Sequence, residues 1–261
     1  MTTERNIPMD GTPALELQGI YKAFGSKVAV DHIDLTIPAG SFFGLVGPNG
    51  AGKTTTLSMA TGLLRPDAGT ARIFGVDIWR APALAKELIG VLPDGMSMPE
   101  RLTGLELLKY MGLLRKLDEK TVDFRSLELL TVLDLLDARE TFVGDYSTGM
   151  RKKIALATAL LHGPKLLVLD EPFEAVDPVS AATIKNILRR FVEHGGSVVF
   201  SSHVMATVEQ MCDSLAVISK GNVKAAGPMK DVQAGQNLED RFVELVEGQA
   251  GGKEGLSWLL S

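Results

Sequence analysis

The feature that most constrains this chain is the segment Gly47-Pro48-Asn49-Gly50-Ala51-Gly52-Lys53-Thr54-Thr55. It fits the pattern G-x-x-x-x-G-K-[ST] of a phosphate-binding loop, whose backbone N–H groups form a concave anion site at the start of a helix. The apolar run from Phe42 to Val46 precedes the loop and predicts a buried strand, and the residues from Thr54 to Leu64 predict a helix. Because strand, glycine loop and helix follow in this order, the segment predicts a binding site for a nucleoside triphosphate.

Two polar residues of the loop suit particular parts of the nucleotide. Lys53 supplies a positive charge for the β- and γ-phosphates, and the hydroxyl of Thr54 is suited to bind Mg²⁺. An ordinary glycine turn with an incidental lysine is the alternative, which the flanking strand and helix disfavour. The loop residues predicted to bind the nucleotide are Gly47, Pro48, Asn49, Gly50, Ala51, Gly52, Lys53, Thr54 and Thr55.

A pair of adjacent carboxylates follows a second apolar run, later in the chain. The run from Leu166 to Leu169 predicts a buried strand that ends in Asp170 and Glu171, and ligand sites of α/β sheets lie at the carboxyl ends of strands. Asp170 is suited to hold Mg²⁺ through water, and Glu171, which points the other way, is suited to polarise a water for attack on the γ-phosphate. An exposed strand end before a proline turn is the alternative, which the phosphate loop upstream disfavours.

Composition and charge exclude several classes of protein. The 261 residues are 45% hydrophobic and 23% charged, which is typical of a globular chain with room for an inserted subdomain. The net charge of −5 argues against a nucleic-acid partner. The apolar run from Ile154 to Leu161 is far shorter than the roughly 20 residues that cross a bilayer, and the polar first residues predict no signal peptide. The single cysteine, Cys212, excludes an internal disulfide and predicts a reducing cytosol.

Apolar periodicity predicts alternating strands and helices, which indicates a mainly parallel sheet with helices on both faces. The predicted strands cover 14–20, 28–30, 33–37, 42–46, 70–74, 88–92, 165–169, 197–201 and 215–219. The predicted helices cover 105–115, 126–136, 179–193, 205–211 and 238–246, and one more begins at about Met150. Helical periodicity in the middle of the chain interrupts the alternation and predicts an inserted subdomain at about 95–162. Flexible segments are predicted at 1–13 and 248–261.

These motifs resemble those of the ATP-binding subunit of ABC transporters, and the resemblance extends over residues 14–247. It implies an α/β fold, with a mixed sheet flanked by helices, an antiparallel β part at the N-terminus and the helical insert. The matching motifs are Gly47–Thr55 as the Walker A loop, Tyr146–Met150 as the signature loop, Leu166–Glu171 as the Walker B strand, Ala175–Asp177 as the D-loop and His203 as the switch histidine.

The resemblance implies an ATPase that works as a head-to-tail dimer with two ATP molecules at its interface. Glu171 and His203 of one copy would be the catalytic residues at each ATP. Ser147 and Gly149 of the other copy would contact the γ-phosphate from the start of a helix, and Asp177 of the D-loop would also belong to the site. A homodimer would then hold two complete composite sites.

The resemblance also implies an aromatic platform for the adenine ring. It assigns this place to Phe24, with Tyr21 as the less favoured choice. A core aromatic at the end of a strand is the alternative for Phe24. Stacking on an aromatic ring would tolerate any purine, so the choice of ATP follows from the resemblance alone.

Two positions depart from the family's pattern. The signature is Tyr-Ser-Thr-Gly-Met where the family usually has Leu-Ser-Gly-Gly-Gln, so Thr148 adds a Cβ and a hydroxyl near the phosphate, which we expect to be tolerated. Asp94 occupies the Q-loop place of a Gln that touches Mg²⁺ and the attacking water. Because Asp is shorter and anionic, we predict a weaker or water-mediated metal contact. An ordinary turn before Gly95 is the alternative.

The resemblance implies that the subunit docks on a separate membrane permease and powers export, at the cytoplasmic, inner face of the cell membrane. The docking groove is predicted near residues 94–105, where Met96, Met98, Pro99 and Leu102 suit an amphipathic helix of the partner. Two alternatives stay open. One is a soluble ABC-type ATPase that acts on ribosomes or nucleic acid, and the other is a catalytically weak subunit that pairs with a different, active one.

Overall fold

The structure is a computed structural model that describes residues 11–95 and 97–247, with Glu247 described by its backbone alone. The predicted flexible segment 248–261, and residues 1–10 of the predicted segment 1–13, lie outside the described residues. The strands are β1 (Leu15–Phe24), β2 (Lys27–Ile37), β3 (Phe42–Val46), β4 (Ala68–Ile73), β5 (Val76–Asp77), β6 (Ile89–Leu92), β7 (Leu166–Leu169), β8 (Ser197–Ser202), β9 (Ser214–Ser219) and β10 (Asn222–Pro228). The helices are α1 (Lys53–Ala60), α2 (Pro82–Leu88), α3 (Gly104–Leu114), α4 (Glu119–Val132), α5 (Thr148–Leu160), α6 (Pro178–Glu193), α7 (Met205–Met211), α8 (Met229–Gln233) and α9 (Leu238–Glu247).

The N-terminal strands form an antiparallel sheet in the order β2-β1-β4-β5, which confirms the antiparallel β part. The segments 28–30 and 33–37, predicted as separate strands, belong to the single strand β2. His32 adopts a left-handed φ of 49° between them, and the pairing of β2 with β1 shifts register there and continues. The interruption in the sequence pattern therefore marks an irregularity within one strand.

The second sheet has the strand order β10-β9-β3-β8-β7-β6. The strands β9, β3, β8, β7 and β6 are parallel, and β10 is an antiparallel edge strand. This mixed sheet with its flanking helices confirms the predicted α/β class. The prediction missed β10, whose residues are half-buried or exposed throughout and include Gly227 and Pro228 near its end. Such a strand is tolerated only at an edge, where one side needs no partner.

The strand β3 lies between two hydrophobic cores. Phe42 and Val46 belong to the core that the sheet shares with α5, α6 and α7, and Phe43 and Leu45 belong to the core shared with β1, β4 and α1. Successive side chains of a strand point to opposite faces, so a strand buried on both faces is apolar throughout. This explains why the segment before the phosphate loop has no polar alternation.

Four parallel strands end at one edge of the second sheet, and each end delivers a segment singled out by the sequence. The phosphate loop 47–55 follows β3, Asp94 follows β6, Asp170 follows β7 and His203 follows β8. Parallel strands bring these segments together although they are far apart in the chain.

The segment between β6 and β7 is helical and contains α3, α4 and α5. The helix α3 begins with a capping box of Thr103 and Glu106, and the side chain of Asp118 caps α4 by accepting a hydrogen bond from the backbone N–H of Thr121 at 3.0 Å. The predicted helix 126–136 was wrong in its bounds, because Asp118 starts α4 earlier and α4 ends at Val132. No helix within the described ranges is both long and apolar enough to cross a membrane.

Candidate nucleotide-binding site

A cavity of about 440 Å³ opens at the edge where the parallel strands end. It joins most of the phosphate loop to the predicted adenine platform, the Q-loop aspartate and the predicted catalytic residues. The lining residues are Phe24, Lys27, Ala29, Asn49, Gly50, Ala51, Gly52, Lys53, Thr54, Thr55, Asp94, Glu171, Glu174 and His203. Residues predicted from separate motifs therefore share one cavity.

The glycines of the phosphate loop permit very close backbone packing. Gly52 has a φ of 110°, and a Cβ there would lie 2.5 Å from the carbonyl oxygen of Ala29. At Gly47 a Cβ would lie 2.3 Å from the carbonyl oxygen of Ile218. The helix α1 begins at Lys53 and has no acidic residue in its first turn. The loop and the positive end of the helix dipole thus favour a bound phosphate.

Lys53 is buried, and its ammonium group contacts the loop itself. Its Nζ donates hydrogen bonds to the carbonyl oxygens of Gly47 at 2.7 Å and Pro48 at 3.4 Å. The same Nζ lies 3.8 Å from Oε1 of Glu171. The positive charge therefore lies between the phosphate loop and the predicted catalytic carboxylate.

Asp170 and Glu171 are held through one hydroxyl group at the end of β7. The Oγ of Ser201 donates a hydrogen bond to Oδ1 of the buried Asp170 and accepts one from the backbone N–H of Glu171 at 2.9 Å. Glu171 has a left-handed φ of 45°. A residue with a side chain keeps this conformation only where surrounding contacts determine it. The direction of the Glu171 carboxylate is thus fixed by the strand ends around it.

His203 contacts the predicted catalytic glutamate. Its Nδ1 lies 3.1 Å from Oε2 of Glu171, and 42% of its side chain is exposed, compared with 13% for Glu171. The histidine therefore lies at the open side of the cavity, and the glutamate lies deeper. The two residues are close enough to act on one group, such as a terminal phosphate and its attacking water.

Phe24 lies at the mouth of the cavity, where 52% of the residue is exposed. This exposure contradicts the alternative of a core aromatic. The Nζ of Lys22 lies 5.7 Å from the centroid of the Phe24 ring and also contacts Oδ1 of Asp67 at 2.7 Å. Tyr21 stacks on His32 with 4.8 Å between the ring centroids and does not line the cavity. Of the two predicted aromatics, Phe24 is therefore the one that the cavity exposes.

Asp94 lines two neighbouring depressions. It belongs to the nucleotide cavity and also to a groove of about 250 Å³ that leads toward the helical segment. Its Oδ1 lies 3.9 Å from Nζ of Lys152, a residue of α5. Asp94 therefore lies where the nucleotide cavity meets the groove, which an ordinary surface turn would not do.

The predicted signature and D-loop residues lie outside this cavity. The Oγ of Ser147 caps α5 by accepting a hydrogen bond from the backbone N–H of Met150 at 3.2 Å, so α5 begins directly after Ser147. A Cβ on Gly149 would lie 2.7 Å from Oδ2 of Asp177, which explains the glycine. The hydrogen bond from the backbone N–H of Ser180 lowers the pKa of the Asp177 carboxyl most, and the Ser180 side chain lowers it further. Within the described ranges, the site residues therefore fall into two separate groups.

Four residues near the cavity were missed by the sequence reasoning. Lys27, Ala29 and Glu174 line it, and Lys152 contacts the backbone of Glu171. Lys27 follows the turn after Phe24, so a cation next to the adenine platform was the available signal. The other three had no comparable signal, because only the fold brings them to the site.

The residues at the cavity fit Mg²⁺ bound together with a nucleotide. The described part of the chain has no group of three or more His, Cys, Asp or Glu side chains that could hold a metal by themselves. Mg²⁺ bound with phosphates needs only one or two protein oxygens, because phosphate oxygens and water supply the others. Thr54 lines the cavity, and its hydroxyl would supply one oxygen ligand. The buried carboxylate of Asp170, which directly precedes the cavity residue Glu171, would supply a second one directly or through water.

The fold and the cavity define a phosphate-loop ATPase with a helical segment inserted between β6 and β7. The protein family described as "ABC transporter" matches residues 30–174, which is more than half of the chain. The chain therefore belongs to the ABC transporter family, as an ATP-binding subunit with ATPase activity. This confirms the resemblance that the motifs indicated.

Relatives and solved structures agree with this assignment. The chain is 39% identical over 223 residues to the daunorubicin/doxorubicin resistance ATP-binding protein DrrA of Streptomyces peucetius, which covers 85% of this chain and 68% of the relative. It is 35% identical over 218 residues to the linearmycin resistance ATP-binding protein LnrL of Bacillus subtilis, which covers 84% of this chain and 70% of the relative. A solved ATP-binding subunit of an ABC transporter superposes with a TM-score of 0.83 at 28% identity and covers 89% of this chain and 99% of the solved chain.

Proposed function

We propose that this chain powers export of a substrate by ATP-driven closure of a head-to-tail homodimer that docks on a separate membrane permease. The ATP-binding domain is residues 14–247 with its helical insert at about 95–162, on the cytoplasmic face of the cell membrane. One observation carries the proposal: the phosphate-loop residues share a cavity that Ser147 and Gly149 of the same chain do not line.

The residues at the cavity suit distinct steps of ATP hydrolysis. Lys53 and the loop N–H groups bind the β- and γ-phosphates, and Phe24 stacks on the adenine. Glu171 orients and polarises the attacking water, and His203 holds the γ-phosphate beside it. Thr54 and Asp170 would hold Mg²⁺, and Asp94 would contribute a weaker or water-mediated contact. When bound, Mg²⁺ neutralises charge on the phosphates.

A second copy supplies the donors that the cavity lacks. Ser147 and Gly149 lie at the start of the helix α5, where unpaired N–H groups and the helix dipole favour an anion. In a head-to-tail pair they cover the γ-phosphate of the other copy, and each Asp177 lies at the interface. ATP then acts as the bridge between two copies, and hydrolysis releases them.

The groove next to Asp94 suits a helix of a membrane permease. Its lining combines the apolar residues Pro93, Met98 and Val143 with charged residues of both signs. The charged residues are Asp94, Glu100, Arg151 and Lys152. Met96, which the sequence also assigned to this groove, lies outside the described residues. The names of the relatives DrrA and LnrL describe resistance to toxic compounds, which supports export as the direction of transport.

The test is the oligomeric state of Glu171→Gln at saturating ATP, measured by analytical ultracentrifugation. Without the catalytic carboxylate, the ATP-bound state accumulates, so we expect ATP to convert monomers to dimers. Adding Ser147→Arg to this variant places a large side chain against the other copy's phosphate and abolishes the dimer. Thr131→Arg, at an exposed position of α4, is the matched control and leaves the dimer intact.

A Glu171→Gln chain that stays monomeric at saturating ATP would contradict the homodimer. Dimers that persist with Ser147→Arg would contradict the head-to-tail arrangement, because the signature residues would then lie away from the interface. The first outcome would favour pairing with a different ATPase subunit, as in the second alternative raised by the sequence.

A further inference from the structure

Lys152 links the helix α5 to the residues that follow β6 and β7. It lies on α5, and its Nζ donates a hydrogen bond to the backbone carbonyl oxygen of Glu171 at 3.0 Å. The same Nζ lies 3.9 Å from Oδ1 of Asp94. Only 17% of the Lys152 side chain is exposed, compared with 49% for Asp94. One largely buried cation therefore joins the signature helix to the ends of β6 and β7.

The hydrogen bond from Lys152 stabilises an unfavourable backbone conformation at Glu171. Glu171 has a left-handed φ of 45°, which costs free energy for any residue with a Cβ. Its N–H donates to Oγ of Ser201 at 2.9 Å, and its carbonyl oxygen accepts from Nζ of Lys152 at 3.0 Å. These two contacts hold the peptide groups on either side of the Glu171 Cα. They thereby determine where the carboxylate points.

The contact with Asp94 offsets part of the negative charge in the nucleotide cavity. Asp94, Glu171 and Glu174 all line the nucleotide cavity, which must also accept the negative charges of a triphosphate. A carboxylate at the Q-loop place adds repulsion that a neutral side chain would not add. The ammonium group of Lys152 lies within ion-pair distance of this carboxylate and also contacts the backbone carbonyl oxygen of Glu171, so it offsets the extra charge.

We propose that Lys152 is a positioning residue for ATP hydrolysis: it fixes the backbone of Glu171 and neutralises Asp94. The inference rests on the catalytic role proposed for Glu171. Asp94 and Lys152 also line the groove next to the cavity, whereas Lys53 and His203 do not. A partner helix that enters the groove therefore meets both members of the ion pair, and their rearrangement moves the hydrogen bond on Glu171.

The experiment compares Lys152→Met and Lys152→Arg with the wild-type full chain. We expect Lys152→Met to lower kcat by about 10- to 100-fold, the size of effect expected when a charge-assisted hydrogen bond that orients a reacting group is lost. The Kd for ATP should rise by only about two- to fivefold, because Lys152 is not among the residues lining the cavity and the carboxylate that loses its cation, Asp94, is half-exposed. Lys152→Arg, which keeps the charge and donors, recovers most of the activity. Lys109→Met, which removes an exposed ion pair with Asp123, is the control and retains full activity.

Combining Lys152→Met with Asp94→Asn tests separately whether Lys152 neutralises Asp94. In a Lys152→Met chain the Asp94 carboxylate is left without its cation, so adding Asp94→Asn should raise kcat again by about threefold or more. In the wild-type background the same Asp94→Asn change should lower kcat or leave it unchanged. This difference between the two backgrounds separates a positioning pair from two independent structural contacts. If thermal unfolding shows that Lys152→Met is not folded, Lys152→Leu replaces it, because leucine also removes both the charge and the N–H donors.

Two results would overturn the inference. One is full kcat in Lys152→Met or Lys152→Leu, and the other is an equal effect of Asp94→Asn in both backgrounds. The proposed function fails in a different way: Glu171→Gln would then hydrolyse ATP as fast as the wild-type chain. A normal loss in Glu171→Gln with no loss in the Lys152 variants therefore rejects only the inference.

Discussion

The two halves of the candidate site are built in contrasting ways. In the phosphate-loop half, Lys53 and His203 both contact Glu171 inside one cavity, and buried strands precede these residues. In the signature half, Ser147 is exposed, and its hydroxyl accepts a hydrogen bond from the backbone N–H of Met150 at the start of its own helix α5. The first half is enclosed by the chain itself, and the second half is exposed. This difference is what the proposed head-to-tail pair would require, because each copy would then complete the site of the other.

The surroundings of the two halves differ in the same way. The strands behind the phosphate loop are buried on both faces. The helices α3 and α4, which precede the signature, expose large apolar side chains, among them Leu113 at 61% and Phe124 at 69%. A stable interior keeps catalytic groups in place, and an apolar surface on mobile or docking elements is available to partners.

The largest effect should come from Glu171→Gln, which removes the base of the phosphate-loop half and leaves its shape. We expect hydrolysis to fall by about 100- to 10,000-fold, the usual range for losing a general base. ATP binding should remain, since the phosphate loop is unchanged. Phosphate release under steady-state conditions and the Kd for ATP measure the two effects. Glu174→Gln, in the same cavity, is the matched control, and an equal loss there would show that charge alone matters.

The second-largest effect on ATP hydrolysis should come from Ser147→Arg, which tests the signature half of the site. We expect hydrolysis to fall by about 100-fold or more, because donors to the transition state are lost and closure is blocked. The Kd for ATP of the monomer should not change, since Ser147 is not among the residues lining the cavity. A parallel loss of binding in a calorimetric titration would contradict the separation of the two halves.

Phe24→Ala should have a smaller effect, limited to binding. Removing an aromatic ring that stacks on a base should raise the Kd for ATP by about tenfold or more. Tyr21→Ala removes a ring that stacks on His32 instead and should leave the Kd unchanged. Equal effects of the two substitutions in the same titration would show that the β1 region, rather than stacking, determines affinity.

The smallest effect at neutral pH should come from His162→Gln, beyond the far end of α5. The Nε2 of His162 lies 2.9 Å from the carbonyl oxygen of Ile89, and burial, then the charge of Arg115, lowers its pKa from 6.5 to about 4. The unfolded state therefore takes up the proton first, so the free energy of unfolding should decrease as the pH falls from about 6.5 to about 4. His162→Gln should flatten this part of the profile in urea unfolding. An unchanged profile would mean that other groups titrate there.

Much of the phosphate-loop half could be predicted from the sequence because its signals are local. The glycines, Lys53 and Thr54 are adjacent in the chain, and Asp170 and Glu171 follow directly from a buried strand. Phe24 and His203 could be placed only through the family resemblance, since a single aromatic or histidine has no pattern of its own. The structure then brought both to the cavity.

The features that were missed depend on contacts between distant segments. Lys152 is one basic residue in a basic stretch of α5, and only the fold brings it to Asp94 and Glu171. The helix α2 was missed because it is short and runs directly into β6, so its apolar residues merged with those of the strand. The start of α4 was missed because its first residues after Asp118 are mostly polar and its cap outweighs periodicity.

The measurement that tests the shared site most directly is hydrolysis by a mixture of two inactive variants. Neither Glu171→Gln nor Ser147→Arg should hydrolyse ATP alone. In a mixed pair, one of the two sites joins the intact Glu171 of one copy to the intact Ser147 of the other, and its ATP can still bridge the two copies. We expect the mixture to hydrolyse ATP well above the sum of the rates of the two separate variants. Activity that stays at that sum at every mixing ratio, while ultracentrifugation shows mixed pairs, would contradict a site shared between two copies.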